Sequence, residues 1–209
     1  MTSYQHIRQD YGKHALNESA VPENPILLFK DWFDKALNST VLDANAMVLS
    51  TVKNHKPSSR IVLLKDIEAE KFVFFTNYNS RKGHELAENK NASMLFFWPE
   101  LERQIRIEGT IERVSEAYSD AYFLSRPRGS QAGAIASHQS ELLPDKAKLI
   151  QDMELLMQTK ESLQRPAHWG GYQLTASYLE FWQGGANRLH DRIAYTKEAQ
   201  TWKIERLYP

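Results

Sequence analysis

Five apolar runs rich in β-branched and aromatic residues, at 46–52, 60–65, 72–76, 93–98 and 103–114, constrain this chain more than any other feature. Each has the length of a strand, and no long crossover helix lies between them. An antiparallel sheet or closed barrel is therefore expected rather than a doubly wound α/β fold. Asn54-His55-Lys56-Pro57 separates the first two runs and Pro99-Glu100 the last two, and both are turn signatures, so the first three runs read as a meander. Within 103–114, Ile105, Ile107 and Ile111 share one face, opposite Gln104, Arg106, Glu108 and Thr110. The fold class is mainly β with flanking helices.

The helices follow from start signals and periodicity. Asn24-Pro25 supplies an N-cap and a first-turn proline, and Phe29, Trp32, Phe33, Ala36 and Leu37 then fall on one helical face. A short helix follows Ser80, a second runs over 115–124, and 144–164 has a long amphipathic pattern with Leu149, Met153, Leu156 and Met157 on one side. His168-Trp169-Gly170-Gly171 breaks that helix, and strands are expected at 172–182 and 202–207. Residues 1–23 are polar and without period, which predicts a mobile arm, with Arg8 and Tyr11 its notable side chains, ahead of a single domain over 24–209.

Composition narrows the function. With 26 basic against 26 acidic residues the chain lacks the basic excess of a nucleic-acid or membrane-surface protein, so any anion site is local. There is no cysteine, which removes disulfides and thiolate chemistry. The histidines show no spacing typical of metal ligands or a catalytic triad, so no metal is expected. No apolar stretch of about 18 residues occurs, and a cytoplasmic, soluble protein is expected.

Three basic clusters stand out. Phe181-Trp182-Gln183-Gly184-Gly185-Ala186-Asn187-Arg188-Leu189-His190-Asp191-Arg192 puts aromatics, paired glycines and cations together. Were 188–195 a strand, Arg188, His190 and Arg192 would project from one face; such alternation also fits a solvated edge strand. Thr76-Asn77-Tyr78-Asn79-Ser80-Arg81-Lys82 places two cations beside a capped helix start, where free N–H groups and the dipole suit a phosphate as readily as solvent. Tyr122 and Arg126 lie one helical turn apart, and Ser130 follows a Pro-Arg-Gly break where it can cap a new helix. Arg60 and Lys65 bracket an apolar strand at opposite parity, so in a regular strand they serve different groups.

These motifs, RIVLLK (60–65), TNYNSRKG (76–83), YFLSRPRGSQAG (122–133), HQS (138–140) and EFWQGGANRLHDR (180–192), occur in an order that resembles the pyridoxamine/pyridoxine 5′-phosphate oxidase family. The resemblance covers nearly the whole chain. It implies an antiparallel FMN-binding split barrel, a homodimer with FMN sites between subunits, and oxidation of pyridoxamine or pyridoxine 5′-phosphate to pyridoxal 5′-phosphate with O2 reduced to H2O2. By similarity Arg60, Ile61, Val62, Leu63, Leu64, Lys65, Phe75, Thr76, Arg81, Lys82, Gln104, Gln139, Ser140, Trp182 and Arg192 hold FMN. Lys65, Tyr122, Arg126 and Ser130 grip the substrate phosphate, Arg188, Leu189 and His190 meet the pyridine ring, Arg188 and His190 carry the catalytic role, and Arg8 and Tyr11 close over the substrate. The alternatives are another FMN-dependent reductase or a non-catalytic flavin or pyridoxal-phosphate carrier. The chain departs from the family pattern at Phe75, where Tyr is usual, and at Ala132 and Ile135, where Ile and Trp are usual.

Overall fold

The structure, a computed structural model, describes residues 10–209. Among these, nine strands hydrogen-bond into one sheet: β1 (Ala46–Lys53), β2 (Lys56–Leu63), β3 (Asp66–Glu68), β4 (Lys71–Asn77), β5 (Asn91–Trp98), β6 (Arg103–Arg113), β7 (Trp169–Gln183), β8 (Asp191–Glu198) and β9 (Thr201–Arg206). Their order is β2-β1-β5-β6-β7-β4-β3, with β8 on β7 and β9 on β8. The pairs β3–β4, β4–β7, β7–β8 and β8–β9 are antiparallel, as the absence of crossover helices predicts. Asn54 and His55 take φ of 50° and 60°, the left-handed pair that lets a two-residue hairpin match strand twist. Pro57 is tolerated because β2 lies at the end of the sheet, where a missing N–H costs no ladder bond to an inner neighbour.

Among the described residues, five α-helices accompany the sheet: α1 (Pro25–Leu37), α2 (Arg81–Glu88), α3 (Glu116–Ser125), α4 (Arg128–Ala136) and α5 (Lys146–Gln158). The Asn24 side chain accepts from the Ile26 N–H with Pro25 at N1, and Ser115 accepts from the Tyr118 N–H, so both helices start where their caps predict. No helix is long and apolar enough to cross a membrane among the described residues. Several expected boundaries move. Leu37 is exposed rather than packed, because α1 ends there and the chain turns at Asn38. The 144–164 helix is shorter: Asp145 caps its start with bonds from Ala147 and Lys148, it stops at Gln158, and its apolar stripe is only half-buried. Gly170 and Gly171 do not break a helix; they open β7. A side chain at Gly171 would meet Phe75 across the pair at 2.8 Å, so glycine lets the aromatic ring lie flush on the strand.

The chain divides into two compact units. The first comprises the described part of Met1–Leu49 with Ser93–Gly109 and Ala176–Pro209. Its core is aromatic: Phe29 meets Phe96 edge-on at 5.2 Å, and Trp32 and Tyr195 meet Phe181 at 5.3 and 5.7 Å. Phe181 is fully buried, and truncating such a ring costs about 3–5 kcal/mol. The buried Trp98 indole and Tyr195 hydroxyl donate to the Ala44 and Pro22 carbonyls, which satisfies polar atoms that burial would otherwise strand. The second unit comprises Ser50–Ala92 and Thr110–Thr175. There Phe123, Ala132, Leu163 and Trp169 form a buried cluster, with Phe75, Tyr122, Ala134, Ile135 and Leu156 packed against it.

Candidate active site

The second unit contains a cleft of about 640 Å³ whose walls come from β2, β4, the α3–α4 corner and the segment after α4. Ile61, Val62 and Leu63 give it an apolar edge, and Ile61 is 63% exposed, an unusual state for a strand isoleucine. Phe75, Tyr122 and Trp169 stand nearly parallel behind it: Phe75 lies 3.8 Å from Tyr122 at 19° and 5.6 Å from Trp169 at 15°. The departure at Phe75 therefore keeps the stack and loses only a hydroxyl. Ala132 and Ile135 sit in the apolar cluster that backs this wall.

The corner carrying Arg126 is tightly braced. Gln131 Nε2 donates to the Leu124 and Arg126 carbonyls, and the Arg128 guanidinium donates to the Leu156 and Met157 carbonyls at the end of α5. Pro127, not Ser130, occupies the N-cap position of α4, because its fixed φ of −53° already suits a helix start; Ser130 lies in the first turn, facing the cleft. Arg126 ends α3 with its guanidinium 4.5 Å over the Trp169 ring. Burial lowers its pKa, and its Nη1 is buried without a hydrogen-bond partner. A buried guanidinium nitrogen with an unspent donor is costly unless something anionic completes it. Lys65, Tyr122 and Ser130 line the same cleft. Lys65 is not the end of a strand: β2 stops at Leu63, and the Lys65 N–H bonds the Val73 carbonyl, so parity with Arg60 does not apply.

Arg81 and Lys82, adjacent in sequence, point to different places. Ser80 caps α2 as expected, accepting from the Gly83 N–H. Lys82 turns inward to the cleft, where Nζ donates to Thr76 Oγ1 (3.0 Å), Ser80 Oγ (3.1 Å) and Gln139 Oε1 (2.9 Å). All three acceptors are uncharged, and burial, with the Arg60 charge adding to it, brings its pKa down to about 8. Arg81 instead lines a second hollow with Lys53, Lys56, His84 and Ser140, and its Nε donates to Glu85 Oε1 at 2.8 Å. Glu85 is buried and also receives Arg60 (2.9 Å), Thr51 and Ser58. Burial pushes its pKa up, but the bonds from Thr51, Ser58, Arg81 and Arg60 outweigh it and hold the carboxyl at about 2. Of the residues expected around FMN, Arg60, Leu64, Arg81, Gln104, Ser140, Trp182 and Arg192 are thus absent from the cleft wall; Leu64 is buried and Arg60 is turned to Glu85.

The first unit holds the other set. The expectation of a strand over 188–195 fails at its start: Ala186–Arg188 is a 3-10 turn, Asn187 and Arg188 have φ of 54° and 63°, and β8 begins only at Asp191. The turn is closed by the Leu189 N–H bonding the Ala186 carbonyl, and a side chain at Gly185 would fall 2.2 Å from the Leu189 oxygen. Arg188 and Leu189 are exposed, so they share a turn rather than alternate on a strand. The Gly185 N–H donates to His190 Nδ1 at 3.1 Å, which places the imidazole proton on Nε2. Burial and the Arg188 charge lower the His190 pKa, favouring this neutral form. Trp182 lies 4.7 Å from the His190 ring, and Tyr11 stands edge-on to Trp182 and His190 at 5.6 and 5.9 Å. Arg192, opposite Trp182 in the β7–β8 pair, donates to Glu180 Oε1 and the Tyr208 carbonyl. Gln104 is half-buried on β6. Arg8 lies outside the described residues.

Three carboxylates escaped the sequence reading: Glu85, Glu102 and Glu180. Glu85 had a usable signal, standing four residues after Arg81 on one helical face. Glu180 binds Arg106, Arg192 and the Tyr178 hydroxyl, and nothing local in the sequence announces that.

The architecture is that of the FMN-binding split barrels. An FMN binding protein related to pyridoxamine 5′-phosphate oxidase from Nostoc punctiforme superposes with a TM-score of 0.73 at 14% identity, covering 90% of this chain and 98% of that one. PhzG from Burkholderia lata, solved with tetrahydrophenazine-1-carboxylic acid, superposes with a TM-score of 0.91 at 32% identity over 95% of this chain and 100% of its own. Residues 33–159 match the pyridoxamine 5′-phosphate oxidase family, and 169–209 match the C-terminal dimerisation region of pyridoxine 5′-phosphate oxidase. The pyridoxine/pyridoxamine 5′-phosphate oxidase of Ralstonia pickettii is 50% identical over 212 residues, all of both chains. The chain belongs to the pyridoxamine 5′-phosphate oxidase family, and it is an oxidoreductase.

Proposed function

We propose that this protein is a cytoplasmic, FMN-dependent oxidase of pyridoxamine and pyridoxine 5′-phosphates, acting as a homodimer with FMN sites between subunits. The observation that carries the reading is the half-buried Arg126 guanidinium in the cleft wall, whose Nη1 is buried and unspent, beside Lys65, Tyr122 and Ser130. A phosphate dianion supplies what that group lacks, and four donors around one cleft suit its several oxygens. The cleft also fits FMN: Ile61, Val62 and Leu63 offer an apolar edge for a flat ring, and the Lys82 ammonium, surrounded by neutral acceptors, lacks a hydrogen-bonded counter-ion. Arg60, Arg81, Gln139 and Ser140 are assigned to the same cofactor, with Arg60 and Arg81 held in place through Glu85.

FMN supplies the hydride acceptor and, through reoxidation by O2, the H2O2. The protein groups bind, orient and polarise. His190, neutral with Nδ1 occupied by the Gly185 N–H, acts as a hydrogen-bond donor through Nε2 to the pyridine ring's oxygen and has no free lone pair for use as a base. Arg188, exposed on its turn, sets a positive charge against the same ring, while Trp182, Gln104 and Arg192 complete the flavin surroundings and Tyr11 covers the substrate. For the amine, oxidation at C4′ would be followed by hydrolysis of the resulting imine to aldehyde and ammonia.

The purified protein should be yellow and its flavin absorbance should bleach anaerobically on adding pyridoxamine 5′-phosphate. A protein that takes up no FMN, or a bound flavin that neither phosphate ester reduces, overturns the reading.

A further inference from the structure

Glu102 stands at the junction between the N-terminal segment and the His190 turn, and both parts of it are engaged. It follows the 3-10 turn Pro99–Leu101 with φ 54° and ψ 41°, a left-handed conformation in which a non-glycine residue is strained. It is also 3% exposed, so a carboxylate sits where water cannot solvate it. Residues with both penalties persist where the surroundings use them. Here Glu102 Oε2 accepts from the Gly12 N–H at 2.8 Å and the Lys13 N–H at 3.1 Å, while Lys13 Nζ donates to the Glu100 carbonyl at 2.8 Å. The Glu102 carbonyl meanwhile accepts from the Gly184 N–H at 2.8 Å and from Gln183 Nε2 at 3.1 Å.

The two halves of the residue therefore fasten two different pieces of chain. The side chain ties the segment that begins with Tyr11; the main chain ties the end of β7, one residue before the Gly185 N–H that orients His190. Tyr11 lies directly on this junction. A Cβ placed on Gly184 would come within 2.8 Å of Tyr11 and 3.0 Å of Glu102, so the phenol ring and the carboxylate stem close over bare backbone. From there the Tyr11 ring reaches both Trp182 and His190.

We propose that Glu102 is a positioning residue: its carboxylate latches the N-terminal segment so that Tyr11 is held over the Trp182–His190 pair. Its action on substrate rests on the reading of His190 and Tyr11 given above; the latch itself does not. Two backbone N–H groups on one carboxylate oxygen give it direction, since a neutral amide oxygen at the same place can accept the same two bonds, whereas a methyl group can accept neither.

The test uses the FMN-loaded enzyme with Glu102→Ala, Glu102→Gln, Tyr11→Ala and the double variant Tyr11→Ala/Glu102→Ala. Glu102→Ala should raise KM for pyridoxamine 5′-phosphate about tenfold, the scale of charged hydrogen bonds lost to a mobile segment, with kcat within about twofold and the flavin spectrum unchanged. Glu102→Gln should recover most of that loss, and the double variant should be no worse than Tyr11→Ala, since both changes undo one contact. Independently of activity, the rate of trypsin cleavage after Lys13, followed by mass spectrometry, should rise about tenfold in Glu102→Ala and return towards wild type in Glu102→Gln. Gly12→Pro, which deletes the shorter N–H bond from the arm side, should reproduce the cleavage if Glu102→Ala does not fold. Wild-type cleavage in both Glu102→Ala and Gly12→Pro, or multiplying KM effects in the double variant, overturns the latch. An enzyme that oxidises neither phosphate ester yet shows the cleavage pattern keeps the latch and removes the substrate reading.

Discussion

The cleft of the second unit and the His190 turn of the first treat their polar groups in opposite ways. In the cleft, positive charge is left without a hydrogen-bonded counter-ion: Arg126 Nη1 is buried without a partner, and the Lys82 ammonium, with all three N–H groups bonded, meets only neutral oxygens. Around His190 the groups are committed: Nδ1 to the Gly185 N–H, the Glu102 oxygens to four donors, Arg192 to Glu180 and Tyr208. Unspent donors are what a region needs to capture a charged ligand, at a cost in stability until the ligand arrives. Committed groups are what a region needs to hold a neutral ring at a fixed angle, because geometry there is set by the protein and not by the ligand.

Four measurements sharpen or break this contrast. The largest effect is expected in the His190 turn: Arg188→Ala should lower kcat by about 10²–10³, the scale of removing one charge set against the reacting ring, with FMN still bound. Normal steady-state turnover in that variant would remove Arg188 from the reaction. Next, Glu85→Gln should destabilise the protein by on the order of 3 kcal/mol, as breaking a buried ion pair does. Glu85 is held at about 2 in the folded protein, below its ordinary 4.5. Its contribution is therefore complete above about pH 4.5 and lost as pH falls towards 2, so wild-type and variant denaturation curves should converge over that interval. On the ligand side, Arg126→Ala should raise KM for the phosphate substrates about 10- to 100-fold with the flavin spectrum intact, and Lys65→Ala, being exposed, should do less. Loss of flavin in either variant would show that the two phosphates are divided differently.

The smallest expected effect is an absence. Because burial and Arg188 lower the His190 pKa, the imidazole stays neutral in the folded protein as pH passes below 6.5, while the unfolded chain takes up a proton there. Activity should run through pH 6.5 without an inflection from this group, whereas stability should begin to fall, since the unfolded state binds the extra proton. An inflection at 6.5 that disappears in His190→Gln would contradict the neutral assignment.

Much of the fold was legible because local signals agreed with one another. Asn24-Pro25, Ser80 and Ser115 each start a helix through the bond their side chains predict, and each of the five apolar runs became a strand, but the first three do not form the expected meander: the third, β4, pairs with β3 and β7 rather than with β2, and Lys56 and Pro57 of the expected turn already belong to β2. What could not be read was set by contacts distant in sequence. β8 starts late because Asn187 and Arg188 adopt left-handed backbone to close the turn after Gly185, and alternation of charge had suggested a longer strand. Arg81 and Lys82 diverge because Glu85, buried and bonded to Thr51 and Ser58, claims one of them. Ser130 lost the capping position to Pro127, whose ring already fixes the needed φ. At the site, motif order placed Lys65, Tyr122, Arg126 and Ser130 around one cleft, but that Glu85 also holds Arg60, and Glu180 holds Arg106 and Arg192, is set by pairings across the sheet that no local pattern announces.

The guanidinium of Arg126 lies 4.5 Å above the Trp169 indole. A positive charge at that distance shifts the indole's excited state, so the cleft carries its own optical probe. An anion drawn to Nη1 moves or screens that charge and should change the emission of Trp169. Comparing wild type with Trp169→Phe isolates the signal from the protein's other four tryptophans, five being present in all. Phosphate affinity could then be read in the flavin-free protein, before any chemistry takes place.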